Sequence, residues 1–203
     1  MVSRKTCPKT EYLEIDDRIL ELAMNLLSSD EIQQAEIISL DLTKKSTRIN
    51  AQRILKKMLG IRPKRPIYYT YHEINHLPHW TRYAVEGLGS FIDILVKCVA
   101  SEKLSNQRYY KSSFNSNLEK LKNKLPNNLY LNLKQFNDLI YTPAKHVFSV
   151  RNRHHYFTSK EVVFTLFMTL KLKEQLVSMS KEAMNYVNDT NEFLNNNYCE
   201  VSK

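Results

Sequence analysis

The chain has 203 residues, 42% of them hydrophobic and 25% charged, with a net charge of +9. That length buries one sizeable core and is short for two ordinary domains, so a single domain over 1–203 is expected. No apolar run approaches the roughly 18 residues of a membrane span, and the opening MVSRKTCPKTEYLEI lacks the apolar stretch of a signal peptide, which together predict a cytoplasmic protein with no membrane partner.

Charge is divided by region. Between Glu11 and Asp41 there are nine acidic residues and one basic one, Arg18, whereas Lys44 to Arg65 carries nine basic residues and no acid. Cys7, Cys98 and Cys199 are scattered and odd in number, which suggests neither a disulfide framework nor a thiolate zinc site; Cys98 reads as a core residue. The three glycines, Gly60, Gly87 and Gly89, spell neither a dinucleotide-binding loop nor a P-loop. With neither glycine nor proline after Pro143, helices are strongly favoured.

The first predicted helix places Tyr12, Ile15, Ile19, Leu22 and Leu26 on one face, and Ser28-Ser29-Asp30-Glu31 reads as the cap and acidic first turn of a second. A third runs from about Thr47 to Leu59, with Ala51, Ile54, Leu55, Met58 and Leu59 on its apolar face, stopped by Gly60 and Pro63. Pro63 and Pro66 bracket a break, and IYYTYHE, rich in β-formers, reads as a short extended connector near residues 66–72. From Pro78 a long helix, WTRYAVEGLGSFIDILVKCVA, is apolar around most of its circumference and therefore central. Gly87 and Gly89 suit close approach by a neighbouring helix, and Arg82, Glu86, Asp93 and Lys97 form a polar stripe.

Residues Ser105 to Asn128 are polar and read as an exposed connection with a short helix. A further helix is expected over Leu129–Ile140. One long helix closes the chain: Thr158-Ser159-Lys160-Glu161 is a capping box, followed by Val163, Phe167, Leu170, Val177, Met184 and Val187 at helical spacing. The fold class expected is all-α, one helical bundle. Its core lies within 78–187, helices from 1–60 pack on that core, and 190–203 forms a frayed tail.

Two histidine clusters stand out. His72-Glu73-Ile74-Asn75-His76 has the letters of the zinc-protease pattern HExxH, with His79 as a third candidate ligand. That chemistry needs both imidazoles one helical turn apart on one helix. The preceding IYYTY and the following Pro78 leave no helix to aim them, so these histidines read instead as contacts of the central helix and connector. The second cluster lies in YTPAKHVFSVRNRHHYFTSKE and gathers Lys145, His146, Arg151, Asn152, Arg153, His154 and His155 ahead of the last helix. Imidazole can take a proton from a ribose 2′-hydroxyl near neutral pH, and guanidinium can stabilise charge developing on phosphoryl oxygens, with no metal or other cofactor required. Glu86 and Asp93 either orient this cluster or pair locally with Arg82 and Lys97.

The Arg-Asn pair, the nearby histidine, the turn and the long helix after it, in an all-helical chain, resemble the HEPN superfamily. Three residues separate Arg151 from His155, a shorter interval than the family's usual one. The resemblance implies a helical bundle that dimerises through the motif and binds RNA or cleaves it without metal, as in toxin-antitoxin and antiviral systems. It implies Arg151, Asn152 and His155, with His154 beside it, as catalytic residues, and Lys145, His146 and Glu86 lend support. The basic residues Lys44, Lys45, Arg48, Arg53, Lys56, Lys57, Arg62, Lys64 and Arg65 make a surface suited to the RNA backbone, because each neutralised phosphate releases counterions. The alternatives are a non-catalytic helical interaction or regulatory protein with a protein partner, and a zinc-dependent hydrolase using His72, His76 and His79.

Overall fold

A computed structural model of the protein describes residues 15–41, 77–104, 112–145 and 157–198. Every regular element among them is helical, so the fold is all-α. The helix expected over Thr47–Leu59 and the connector near 66–72 lie outside the described residues.

Helix α1, Asp17–Leu26, begins where the Asp16 carboxylate accepts a hydrogen bond from the Arg18 backbone N–H at 2.9 Å. It buries Ile19, Leu22 and Ala23, part of the face that the 3.6-residue period picks out. Helix α2, Ser29–Asp41, opens with a reciprocal cap: the Glu31 N–H donates to Ser28 Oγ at 3.3 Å, and the Ser28 N–H donates to Glu31 Oε2 at 2.9 Å.

The central helix is α3, Leu77–Leu104. Val85, Leu88, Phe91, Ile92, Leu95, Val96, Cys98, Val99 and Ala100 are buried around most of its circumference, as the sequence predicts. The two glycines differ. A methyl group on Gly89 would fall 2.8 Å from Cγ and 2.9 Å from Cβ of Tyr141, whereas one on Gly87 meets nothing within 4 Å. Close helix approach therefore accounts for Gly89 and not for Gly87.

The segment expected to be an exposed connection is in part core. Helix α4, Phe114–Leu121, is capped by Ser113 and buries Phe114, Asn117, Leu118 and Leu121, with Leu125 buried beyond it. Helix α5, Asn127–Phe136, starts two residues before the expected Leu129 and runs on past Ile140, through a π-helical turn at Asn137–Tyr141, into the short helix α6, Thr142–Lys145.

The single closing helix expected from the sequence is two. Helix α7, Ser159–Met179, ends at Ser180, whose backbone is extended (φ −146°, ψ 124°), and α8 covers Lys181–Tyr198. Ser180 acts as the cap of α8: its hydroxyl accepts from the Ala183 N–H at 3.2 Å and donates to Glu102 Oε2 at 2.7 Å, while the Glu182 N–H donates to the same oxygen at 3.1 Å. Met184, placed by periodicity on the apolar face, is 42% exposed because the break resets the rotation.

Helices α3 and α7 pack on each other and form the centre. α4, the π turn, α6 and α8 lie against α3, and α1 and α2 lie against α7. The capping box at the start of α7 is present and does more than cap: Glu161 Oε2 accepts from the Thr158 N–H at 2.8 Å, and Glu161 Oε1 accepts from the Asp16 N–H at 3.0 Å. One carboxylate thus fixes the starts of both α7 and α1. Lys171–Glu31 at 2.8 Å and Lys160–Glu36 at 3.1 Å tie α2 to α7. Such half-exposed pairs are each worth about 0–1 kcal/mol, so the apolar contacts of Ile19, Leu22, Ala35, Phe164 and Leu172 hold these helices together. Among the described residues no helix is long and apolar enough to cross a membrane.

Candidate functional site

On α3, Glu86, Ser90, Asp93 and Lys97 fall at i, i+4, i+7 and i+11 and share one face. Most of this stripe is half-buried, but Asp93 is only 7% exposed. Its Oδ2 accepts from Lys97 Nζ at 2.9 Å, so the local pairing read from the i, i+4 spacing is present.

The second wall comes from the π turn. It buries Asn137, Ile140 and Tyr141, which at i, i+3 and i+4 fall on one helical face. Asn137 holds the turn: its Nδ2 donates to Asn115 Oδ1 and to Asp138 Oδ1, both at 2.8 Å, and its Oδ1 accepts from Thr142 Oγ1 at 3.3 Å. The Tyr141 ring then lies over Gly89, and its hydroxyl donates to Asp93 Oδ2 at 3.3 Å. Phe114 packs beside the ring at a centroid distance of 5.9 Å, and Lys145 Nζ sits 5.3 Å from the ring centroid.

This arrangement favours a neutral phenol. Burial pushes the Tyr141 hydroxyl up to about 12; a hydrogen bond with Ser90 opposes the shift, and the negative charges of Asp93 and Glu86 add to it. Tyr141 therefore stays a hydrogen-bond donor throughout the physiological range and cannot serve there as a base. Asp93 Oδ1 is buried and receives no hydrogen bond from the described residues.

Of the catalytic and supporting residues expected from the sequence, Lys145 and Glu86 are described, and both converge on Tyr141: Lys145 from the exposed end of α6, Glu86 from a half-buried position on α3. His146, Arg151, Asn152, His154 and His155 lie outside the described residues, as do Lys44, Lys45, Arg48, Arg53, Lys56, Lys57, Arg62, Lys64 and Arg65. So do His72 and His76; His79 falls in α3, but its side chain is not among those described. Among the described residues no group of three His, Cys, Asp or Glu side chains is arranged to hold a metal ion. Cys98 is buried and reduced, as a core residue.

Sequence reasoning passed over Tyr141, Ser90 and Asn137. Ser90 was legible, lying one turn from both Glu86 and Asp93. Tyr141 and Asn137 continue the helical face of Leu133, Phe136 and Ile140, but nothing in their spacing points to their distant partners Asp93 and Asn115.

Comparison with protein-family models, with curated proteins and with solved structures finds no match to this chain. The class that the fold defines is an all-α protein in which an Asp–Lys pair of the central helix meets a tyrosine of the π turn.

Proposed function

We propose that the protein is a cytoplasmic, HEPN-like RNA-binding protein acting as a metal-independent endoribonuclease, of the kind found in toxin-antitoxin and defence systems. The observation that carries this reading is the concentration of Arg151, Asn152, Arg153, His154 and His155 directly ahead of the capped helix α7 in an all-α chain. The described flanks of that segment support it: Lys145 ends α6 beside the Asp93–Tyr141 cluster, and Phe157 is buried at the start of α7.

In this mechanism an imidazole, His155 or its neighbour His154, takes the proton of a ribose 2′-hydroxyl. The 2′-oxygen attacks the adjacent phosphorus, the bond to the 5′-oxygen breaks, and that oxygen leaves with a proton from a second histidine. Arg151 stabilises the charge on the phosphoryl oxygens and Asn152 orients the phosphate. A homodimer places two motifs side by side and supplies both base and acid. The tract Lys44 to Arg65 holds the backbone.

The test is cleavage of mixed single-stranded RNA by the purified protein in excess EDTA, with Arg151→Ala and His155→Ala alongside. Cleavage that persists in EDTA and falls by roughly 100-fold or more in both variants is the expected result. Cleavage abolished by EDTA and restored by zinc would transfer the activity to His72, His76 and His79. Intact RNA in the presence of folded protein would leave a non-catalytic helical bundle acting through a protein partner.

A further inference from the structure

The turn that joins α4 to α5 collects positive charge. Lys120, Lys122, Lys124 and Lys134 are all exposed, and from Lys120 to Lys134 the sequence contains no acidic residue. The carboxylates at either margin are already engaged. Tyr130 donates its hydroxyl to Glu119 Oε1 at 2.8 Å, with Lys134 Nζ 3.9 Å from the same oxygen, and Asp138 Oδ1 accepts from Asn137 Nδ2 at 2.8 Å. Lys122 Nζ sits 5.9 Å from the centroid of the Tyr130 ring. These contacts gather Lys122 and Lys134, from opposite arms of the hairpin, around one tyrosine. Among the described residues no carboxylate pairs with Lys122 or Lys124.

The make-up of the patch selects its partner. A protein–protein interface is depleted in lysine and enriched in aromatic residues at its core, the reverse of what stands here. A membrane surface is met by apolar side chains that enter the headgroup boundary, and among the described residues of this hairpin Leu131 is the one large apolar side chain exposed. A phosphodiester backbone asks for what is present, ammonium groups together with the exposed amides of Asn123, Asn127 and Asn128. The rings of Phe114, Tyr130 and Phe136 are buried, which leaves no face on which a base could stack.

We propose that the α4–α5 turn is a phosphate-backbone contact for RNA, holding the strand through Lys120, Lys122, Lys124 and Lys134 without reading its bases. At roughly 1.5 Å per residue, the continuous winding from Asn127 to Lys145 places this surface about 27 Å along the helix from Lys145. It is thus separate from the Lys145 flank. The choice of RNA as the polyanion rests on the RNA-binding reading above; cleavage is not required.

The experiment reads binding apart from cleavage, on the full chain. Fluorescence anisotropy follows 2′-O-methyl oligouridylate and oligoadenylate, which have no 2′-hydroxyl to attack with, over a range of salt concentrations. Lys122→Gln/Lys124→Gln is expected to weaken both oligonucleotides alike, by about fivefold per lysine at about 0.1 M salt, and to reduce the log–log salt slope by about 0.7 per lysine. Lys103→Gln/Lys181→Gln removes the same charge from exposed positions elsewhere and leaves the affinity within about twofold of the parent. Glu119→Gln takes a carboxylate out of the patch and tightens binding by roughly twofold, a gain that a damaged fold does not imitate. Parent binding indifferent to the patch variants, equal losses in the two double variants, or a loss confined to one base overturns the proposal and leaves the RNA reading standing. A parent that binds neither oligonucleotide overturns both, and patch-dependent capture by phosphatidylserine vesicles in that case assigns the surface to a membrane.

Discussion

Tyr141 is held from several sides at once: Gly89 beneath the ring, Phe114 beside it, Lys145 above it, and Asp93 at its hydroxyl. Its raised pKa has a defined consequence for stability. Because the folded value of about 12 exceeds the ordinary 10.0, the neutral phenol's contribution is fully present below pH 10 and is lost as pH rises through 12. Tyr141→Phe keeps the ring and removes the hydroxyl, so it costs about 1 kcal/mol at neutral pH and removes Tyr141's share of the alkaline loss. Urea denaturation across the alkaline range, followed by fluorescence, measures both. The two glycines of α3 make a paired prediction. Gly87→Ala has open space and raises stability by roughly 0.5–1 kcal/mol, whereas Gly89→Ala drives a methyl into Tyr141 and lowers it by roughly 1–3 kcal/mol. Sequence alone placed both glycines against a neighbouring helix; only the position of Tyr141 separates them.

At the scale of elements, legibility follows periodicity and its interruptions. The starts of α2 and α7 could be read because Ser28/Glu31 and Thr158/Glu161 are capping boxes written in the residue types themselves. The apolar circumference of α3 likewise announced its central place. Helix α4 was passed over as exposed because Lys120, Glu119 and two asparagines mask Phe114, Leu118 and Leu121, which follow i, i+4, i+7 and are all buried. The break at Ser180 has no glycine or proline to mark it and depends on a distant partner, Glu102 of α3. That partner carries a pH signature. The Ser180 hydroxyl and then the Glu182 N–H hold the Glu102 carboxyl below its ordinary 4.5, and Lys171 does the same for Glu31. A lowered folded pKa gives stability that is present above pH 4.5 and lost as pH falls through the folded value. Glu102→Gln is therefore expected to flatten part of the acid-side loss of stability, measured as the denaturation midpoint from neutral pH downward. An unchanged acid limb would remove the cap from the account.

For the whole molecule, the all-α architecture was legible from the scarcity of glycine and proline and from the helical spacing of apolar residues. The site was legible only as chemistry. Residue types and order mark Arg151, Asn152, His154 and His155, but no periodicity relates them to Asp93 and Tyr141, which lie 48 residues apart and meet only through the packing of the π turn on α3. The central claim is that imidazole and guanidinium at this motif cleave RNA through its own 2′-hydroxyl. The most direct measurement is the chemical nature of the new ends, by mass spectrometry, on an oligoribonucleotide and on its counterpart with a single 2′-deoxy residue at the cleaved position. The account predicts a 2′,3′-cyclic phosphate and a free 5′-hydroxyl from the first and no cut at that position in the second. Cleavage of the deoxy-substituted strand there, or a free 3′-hydroxyl end, would contradict it.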